Sequence, residues 1–403
     1  MKNFNWRFSK LEKKYLESIL YGGLGGRKKS YKYLLEDAFT KKFNVDYSIT
    51  FNSCTSALHS SFLALNLKKN SEVLVPALTP IMCSSTIHLA GLVPVYIDVD
   101  PETFLIDYDD LSNKITNNTK AILAVHMYSG ICDLKRLRSI CKKNKLYLIE
   151  DCAEAFGAKD ENGNLVGTVG DISCWSFQSA KLITCGDGGM ATTNNKVLAK
   201  KLRKIGNLGF STLKADNEQD PIPKDIRQNP NFNRFDEIGY NYRLNEFSCA
   251  ISLAQLKNSN RYINLRRKMG KAFDKVMSKY GRYIQIQKIN ASTYSTYYTY
   301  AFHLKTKKIS WKKFRIKFIE NGGDPFYAAS KLNNQEKAII KYSIGRCFSS
   351  CKLNCLKNCN GTPVAMSLQK KLILLTTNQS NDYLIKKQAI SLEKTLKYFF
   401  ENN

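Results

Sequence analysis

Two residues thirty positions apart, Asp151 and Lys181, have the types and the setting to do chemistry together. Asp151 follows the run Lys145-Leu146-Tyr147-Leu148-Ile149, which reads as a buried strand. Lys181 follows a second run, Ile172-Ser173-Cys174-Trp175-Ser176-Phe177-Gln178, and precedes the turn Gly186-Asp187-Gly188-Gly189. In an open α/β sheet, ligands gather at the carboxyl ends of the strands. A carboxylate and an amine placed there suit pyridoxal 5'-phosphate (PLP), which a lysine holds as a Schiff base while an acid holds its pyridinium nitrogen. Taken singly, Asp151 reads as a helix cap and Lys181 as a solvated loop lysine. Taken together with the segments below, the cofactor reading is the better one.

These residues need elements to position them. From Tyr47 the chain alternates strand and helix signals, the pattern of a βαβ sheet. Strands are predicted over 47–51, 72–76, 93–100, 121–126 and 145–151. Helices of period 3.6 are predicted between them, for example over 57–67 and 134–143. Residues 1–46 read as amphipathic helix broken by Gly22-Gly23-Leu24-Gly25-Gly26, since glycines so dense forbid a regular helix. That loop is either a plain connection or one that approaches substrate. The pattern lapses over 207–237, which carries Pro221, Pro223 and Pro230 and reads as a long surface excursion. Helices over 245–257 and 261–279 follow, then a strand over 294–304 and helices over 311–321 and 382–400.

A chain of 403 residues exceeds the usual single-domain size, and a boundary near residue 258 divides it into 1–258 and 259–403. The formal charge of +28 could mark a nucleic-acid binder. However, the basic residues are scattered and mostly lysine, and no basic arm or zinc-finger pattern concentrates them. The charge reads as surface composition with some attraction for a phosphorylated ligand, and no nucleic-acid partner is expected. No stretch approaches the roughly 20 apolar residues of a membrane span, and the start lacks a signal-peptide core. A cytoplasmic location, no membrane partner and reduced thiols are expected for the 12 cysteines.

Several further segments carry a resemblance. They are Asn52-Ser53-Cys54-Thr55-Ser56-Ala57-Leu58, Gly91-Leu92-Val93-Pro94-Val95-Tyr96-Ile97-Asp98-Val99-Asp100, Ile149-Glu150-Asp151-Cys152-Ala153-Glu154-Ala155-Phe156-Gly157-Ala158, the stretch from Gly170 through Lys181 to Gly189, and Gly239-Tyr240-Asn241-Tyr242-Arg243-Leu244-Asn245. In this order they resemble the DegT/DnrJ/EryC1/StrS family of PLP-dependent aminotransferases, densely over about 20–260. The resemblance implies fold type I: a large α/β domain with a mostly parallel seven-stranded sheet and a smaller C-terminal α/β domain. It implies that Lys181 carries PLP and moves a proton, and that Asp151 keeps the ring nitrogen protonated. Thr55 and Ser56, at the start of a helix, would bind the cofactor phosphate with backbone N–H groups and hydroxyls; an ordinary N-cap is their alternative reading. Ser176 falls at the family's phosphate-binding serine, or is a core hydroxyl. Glu154 falls near the cofactor's ring hydroxyl, or is a solvated first-turn glutamate. Asn241 would reach the phosphate of a neighbouring subunit, which implies a homodimer with shared active sites; alternatively it is a turn asparagine. Arg243 is a second candidate anion ligand.

The implied reaction moves an amino group from an amino acid, expected to be glutamate, to a nucleotide-linked keto-deoxy sugar for amino-sugar and polysaccharide synthesis. Gln178 stands where many members carry histidine, and members with glutamine there include aminotransferases of cyclitol ketones, so that acceptor is an alternative. A non-catalytic PLP-binding regulator is another. Pro80 stands where the family often has an aromatic residue over the ring: either Pro80 packs on the ring or the register differs. His126, which ends the fourth strand, reads as structural rather than catalytic. Cys347, Cys351, Cys355 and Cys359 recur every four residues, unlike the tighter pairs of most zinc sites. They read as incidental thiols, with a metal-dependent interaction module as the alternative. No metal is assigned. Gly322-Gly323-Asp324-Pro325-Phe326-Tyr327, with Lys331 and Gln335, reads as a substrate-facing loop.

Overall fold

The apolar runs become neighbours in a seven-stranded sheet of order β1-β7-β6-β5-β4-β2-β3. The strands are β1 (Tyr47–Phe51), β2 (Glu72–Pro76), β3 (Val93–Ile97), β4 (Thr119–Val125), β5 (Tyr147–Asp151), β6 (Ile172–Ser176) and β7 (Gly189–Thr193). The computed structural model describes residues 5–23, 30–216, 222–346 and 361–401. β3, β2, β4, β5 and β6 pair in parallel, while β7 runs antiparallel to both β6 and β1. A sheet covered on both faces needs apolar residues on both faces, which is why these strands read as continuous hydrophobic runs rather than alternating ones. Asp151, Ser176 and Phe51 end their strands on the same edge, because six of the strands share one direction.

Helices α2 (Tyr31–Phe43), α3 (Cys54–Ala64) and α4 (Met82–Leu89) pack on the sheet, and α1 (Lys10–Gly22) packs on helix Glu246–Lys257. Ser9 and Glu12 form a reciprocal capping box at the start of α1, fixing where that helix begins. On α2, Phe39 and Phe43 stack with ring centroids 4.5 Å apart and pack on Trp175 of β6. The sheet layer therefore rests on an aromatic seam beneath the strand that leads to Lys181.

A second sheet of order β10-β11-β9-β8 is built from β8 (Ile284–Ile286), β9 (Thr299–Leu304), β10 (Tyr327–Ala328) and β11 (Leu372–Thr376), all antiparallel. It packs with helices Ser259–Met277, Trp311–Glu320 and Asp382–Phe400 around Phe273, Phe302, Phe314, Phe318 and Leu392. Leu332, Ile339, Ala365 and Leu368, late in the chain, instead join the larger core around the seven-stranded sheet. Asp98, just past β3, explains one of these attachments. Its carboxylate accepts the backbone N–H groups of Val364 and Ala365 at 2.9 and 2.7 Å, capping helix Pro363–Gln369 from another part of the chain.

Several predicted boundaries shift. The helix after β1 begins at Cys54, because Ser53 rather than a later residue caps it, and it ends at Ala64. β3 stops at Ile97, where Asp98 turns to its capping role. β9 begins at Thr299 rather than at 294. β7 had no sequence signal of its own: Gly-Met-Ala-Thr-Thr is too short and mixed to announce a strand, and the ladders to β1 and β6 decide it. Residues 207–237 are largely irregular where described, with one short helix, Lys224–Gln228. Leu24, Gly25 and Gly26, and the four cysteines at 347, 351, 355 and 359, lie outside the described residues. Among the described residues no helix is long and apolar enough to cross a membrane.

Candidate active site

Lys181 sits in the turn between β6 and β7, and Asp151 is the last residue of β5 beside it. Lys181 Nζ lies 3.4 Å from Glu154 Oε1, and both side chains are largely buried. The other Glu154 oxygen accepts the backbone N–H of Tyr128 at 2.8 Å, so this carboxylate is held in place and is not a solvated first-turn glutamate. Burial alone would lower the Lys181 ammonium, but the charges of Glu154, Tyr298 and Asp151 outweigh it and hold the amine above the ordinary lysine value. Asp151 accepts the backbone N–H of Ala153 on Oδ1 at 3.0 Å and the Cys83 thiol on Oδ2 at 3.3 Å. It is buried, yet both donors leave acceptor lone pairs on the carboxylate for another N–H.

The amino end of α3 opens from the same edge. Ser53 is its cap, accepting the Ser56 N–H at 3.0 Å. The Ser56 hydroxyl lies 2.8 Å from Ser53 Oγ and donates to Asn52 Oδ1 at 2.6 Å, while Thr55 is half-buried beside it. The cap is thus Ser53, not Thr55 or Ser56, which leaves those two in the first helical turn, where N–H groups lack intrahelical partners. Gly189 opens this corner. A Cβ there would stand 2.5 Å from the Ser53 carbonyl carbon and 2.6 Å from the Cys54 nitrogen. Gly189 pairs with both Phe51 and Ser176, so the end of β1, the end of β6 and the start of α3 converge on it. Ser176 ends β6 half-buried, its hydroxyl 3.4 Å from the Gln178 nitrogen.

Two arginines that the sequence did not single out hold the Lys181 turn. Arg7 donates to the carbonyls of Lys181 at 2.6 Å and Leu182 at 3.1 Å. Arg266, from helix Ser259–Met277, donates to the Ala180 carbonyl at 3.3 Å and to the Tyr298 carbonyl at 2.6 Å. The Tyr298 ring lies between the two cations, 4.6 Å from Lys181 Nζ and 5.0 Å from the Arg266 guanidinium. In a chain with 62 lysines and arginines, no spacing rule would have picked these two.

Asn241 is exposed, with Oδ1 accepting from Arg243 Nε at 2.9 Å, and among the described residues no hydrogen bond joins it to Lys181, Glu154 or Asp151. Gln178 uses its side chain on the turn itself, accepting the Ala180 N–H at 2.9 Å. Pro80 lies two residues before α4, its carbonyl accepting the N–H of Cys83, whose thiol touches Asp151. His126 is buried. Its Nδ1 accepts the Cys132 N–H at 3.1 Å, which leaves Nε2–H to donate to Glu150 at 3.2 Å. Glu150 also accepts the N–H groups of Gly167, Val169 and Gly170, so His126 and Glu150 form a hydrogen-bonded brace for that turn, with the Cys152 thiol close by.

The profile of the DegT/DnrJ/EryC1/StrS aminotransferase family matches residues 8–329. The chain belongs to this family. It is a PLP-dependent aminotransferase, and its fold is that of the family. GDP-perosamine synthase of Escherichia coli O157:H7 is 34% identical over 295 residues, covering 73% of this chain and 75% of the relative. L-Glutamine:2-deoxy-scyllo-inosose aminotransferase of Streptomyces kanamyceticus is 32% identical over 275 residues, 67% of this chain and 62% of the relative. Among solved structures, the aminotransferase from Psychrobacter cryohalolentis superposes with a TM-score of 0.84 at 24% identity, covering 98% of each chain. The residues at the strand edge fit the cofactor: an amine, a buried carboxylate with acceptor capacity to spare, and a helix start that packs directly on the strand end at Gly189.

Proposed function

We propose that this aminotransferase transfers nitrogen from an amino acid, glutamate, to a nucleotide-linked keto-deoxy sugar in amino-sugar and polysaccharide synthesis. The observation that carries the reading is the meeting of Lys181, Glu154 and Asp151 at the carboxyl ends of β5 and β6. The likeness to a GDP-perosamine synthase supports the nucleotide-sugar acceptor. Bound there, PLP supplies an electron sink for the carbon that loses its proton. Lys181 Nζ would hold the cofactor and would carry that proton. Asp151 keeps a proton on the ring nitrogen. Glu154, fixed by Tyr128, orients the amine and would serve the ring hydroxyl. Thr55, Ser56 and Ser176 bind the phosphate at the α3 start. Asn241, exposed in one subunit, serves the phosphate of a second in a cytoplasmic homodimer, with Arg243 beside it.

The test is the visible absorption of the purified protein with PLP, with and without glutamate. A band that glutamate bleaches, with bleaching lost in Lys181→Ala, is the expected result. A protein that stays colourless with added PLP sinks the reading. Bleaching by glutamine but not glutamate would replace the donor alone. A second acceptor class has its own support: Gln178 stands before Lys181, and a relative named for an inosose is 32% identical. Turnover of a cyclitol ketone but of no nucleotide-linked keto sugar would favour it.

A further inference from the structure

Beside the Ala153 N–H, Asp151 accepts from a thiol. Cys83 Sγ lies 3.3 Å from Asp151 Oδ2, and Thr79 Oγ1 lies 3.3 Å from Cys83 Sγ. All three side chains are buried. The Thr79 hydroxyl donates to the sulfur, so the single S–H proton is left for the carboxylate. Burial first, and then the charge of Asp151, raise the Cys83 thiol well above its ordinary value, which keeps that proton on sulfur. The surroundings are similar. Cys54, Cys152 and Cys174 are buried, and the Asp151 charge acts on each of them. Among the described residues the side-chain donor to this carboxylate is therefore a thiol, which donates weakly, beside the Ala153 N–H on the other oxygen.

We propose that Cys83 is a positioning residue for Asp151: oriented by Thr79, its thiol fixes Oδ2 while withdrawing little of the charge that holds a proton on the cofactor's ring nitrogen. A stronger donor at the same place would compete with the ring N–H for that oxygen. No donor at all would leave the charge undiminished but the carboxylate less fixed. The two changes act on the ring nitrogen in opposite senses, which packing damage alone would not produce. The inference rests on the role given to Asp151 above.

The experiment reconstitutes the wild type, Cys83→Ser, Cys83→Ala and Thr79→Val with PLP labelled with nitrogen-15 in the ring. The ring-nitrogen chemical shift is followed against pH, with Asp151→Asn as reference. Cys83→Ser should move the midpoint of ring protonation down by about half a pH unit, roughly threefold in the protonation equilibrium. Cys83→Ala should move the midpoint up. Thr79→Val, which keeps the thiol but frees its rotation, should fall between wild type and Cys83→Ala, and it decides the matter if Cys83→Ala does not fold. Midpoints that coincide with wild type, or Ser and Ala variants that move together, overturn the inference and leave the role of Asp151 intact. A wild type indistinguishable from Asp151→Asn overturns that role as well.

Discussion

At the scale of single residues, the pairing of Glu154 with Lys181 has a kinetic consequence. Only the neutral amine can capture the cofactor, and the surrounding charges hold that amine protonated above the ordinary lysine range. The capture rate of cofactor-stripped protein should therefore rise about tenfold per pH unit through neutral and alkaline pH, without levelling before the raised value is reached. Glu154→Gln removes the largest raising charge and shifts the whole curve to lower pH, so capture at pH 8 should be about tenfold faster for each unit of pKa lost. Stopped-flow growth of the visible band measures this, and identical curves would separate Glu154 from the amine. Lys181→Ala should give no turnover. Asp151→Asn should lower turnover on the order of a hundredfold or more with an unchanged melting temperature. These two were legible in the sequence because the cofactor demands one amine and one acid on neighbouring strand ends. Cys83, Arg7, Arg266 and Tyr298 were not, because each reaches the site across a long span of chain that carries no local pattern.

At the scale of elements, the corner where β1, β6 and α3 meet β7 is the most constrained part of the site. Gly189→Ala places a methyl group against the backbone of Ser53 and Cys54. Backbone cannot yield as a flexible side chain can, so a loss of about 1–3 kcal/mol is expected, with weaker cofactor binding, by thermal melts and PLP titration. The sequence announced the strands buried on both faces, since apolar runs bounded by turns leave few alternatives. It was silent on β7, whose existence depends on its two neighbours, and on the Asp98 cap, which joins residues far apart in sequence. Helix limits moved where a side-chain cap, rather than periodicity, sets the boundary.

At the scale of the molecule, the surface near Asn241 is unlike an ordinary solvated face. Ile238 is 94% exposed, and Phe235, Tyr240 and Phe247 are also exposed. We propose that this surface is covered by a second copy of the chain, as a shared site requires, and that the boundary near residue 258 separates two domains. Light scattering should give twice the 45.9 kDa chain mass. Ile238→Asp should give monomers with little bound cofactor. Mixing inactive Lys181→Ala with inactive Asn241→Ala after dissociation should restore about a quarter of wild-type activity, since half of the pairs are mixed and each carries one intact site. No restoration would mean that each subunit completes its own site.

The Lys181 turn is gripped from both sides of the chain, by Arg7 near the start and by Arg266 with Tyr298 well past the middle. During synthesis on the ribosome, the seven-stranded sheet, the acid and the amine all emerge before Arg266 and Tyr298 do. Until then Arg7 alone is present to hold the lysine turn. Cofactor acquisition is then a late event, timed by the emergence of the second grip, and chains truncated before it should be released without the yellow colour of the finished enzyme.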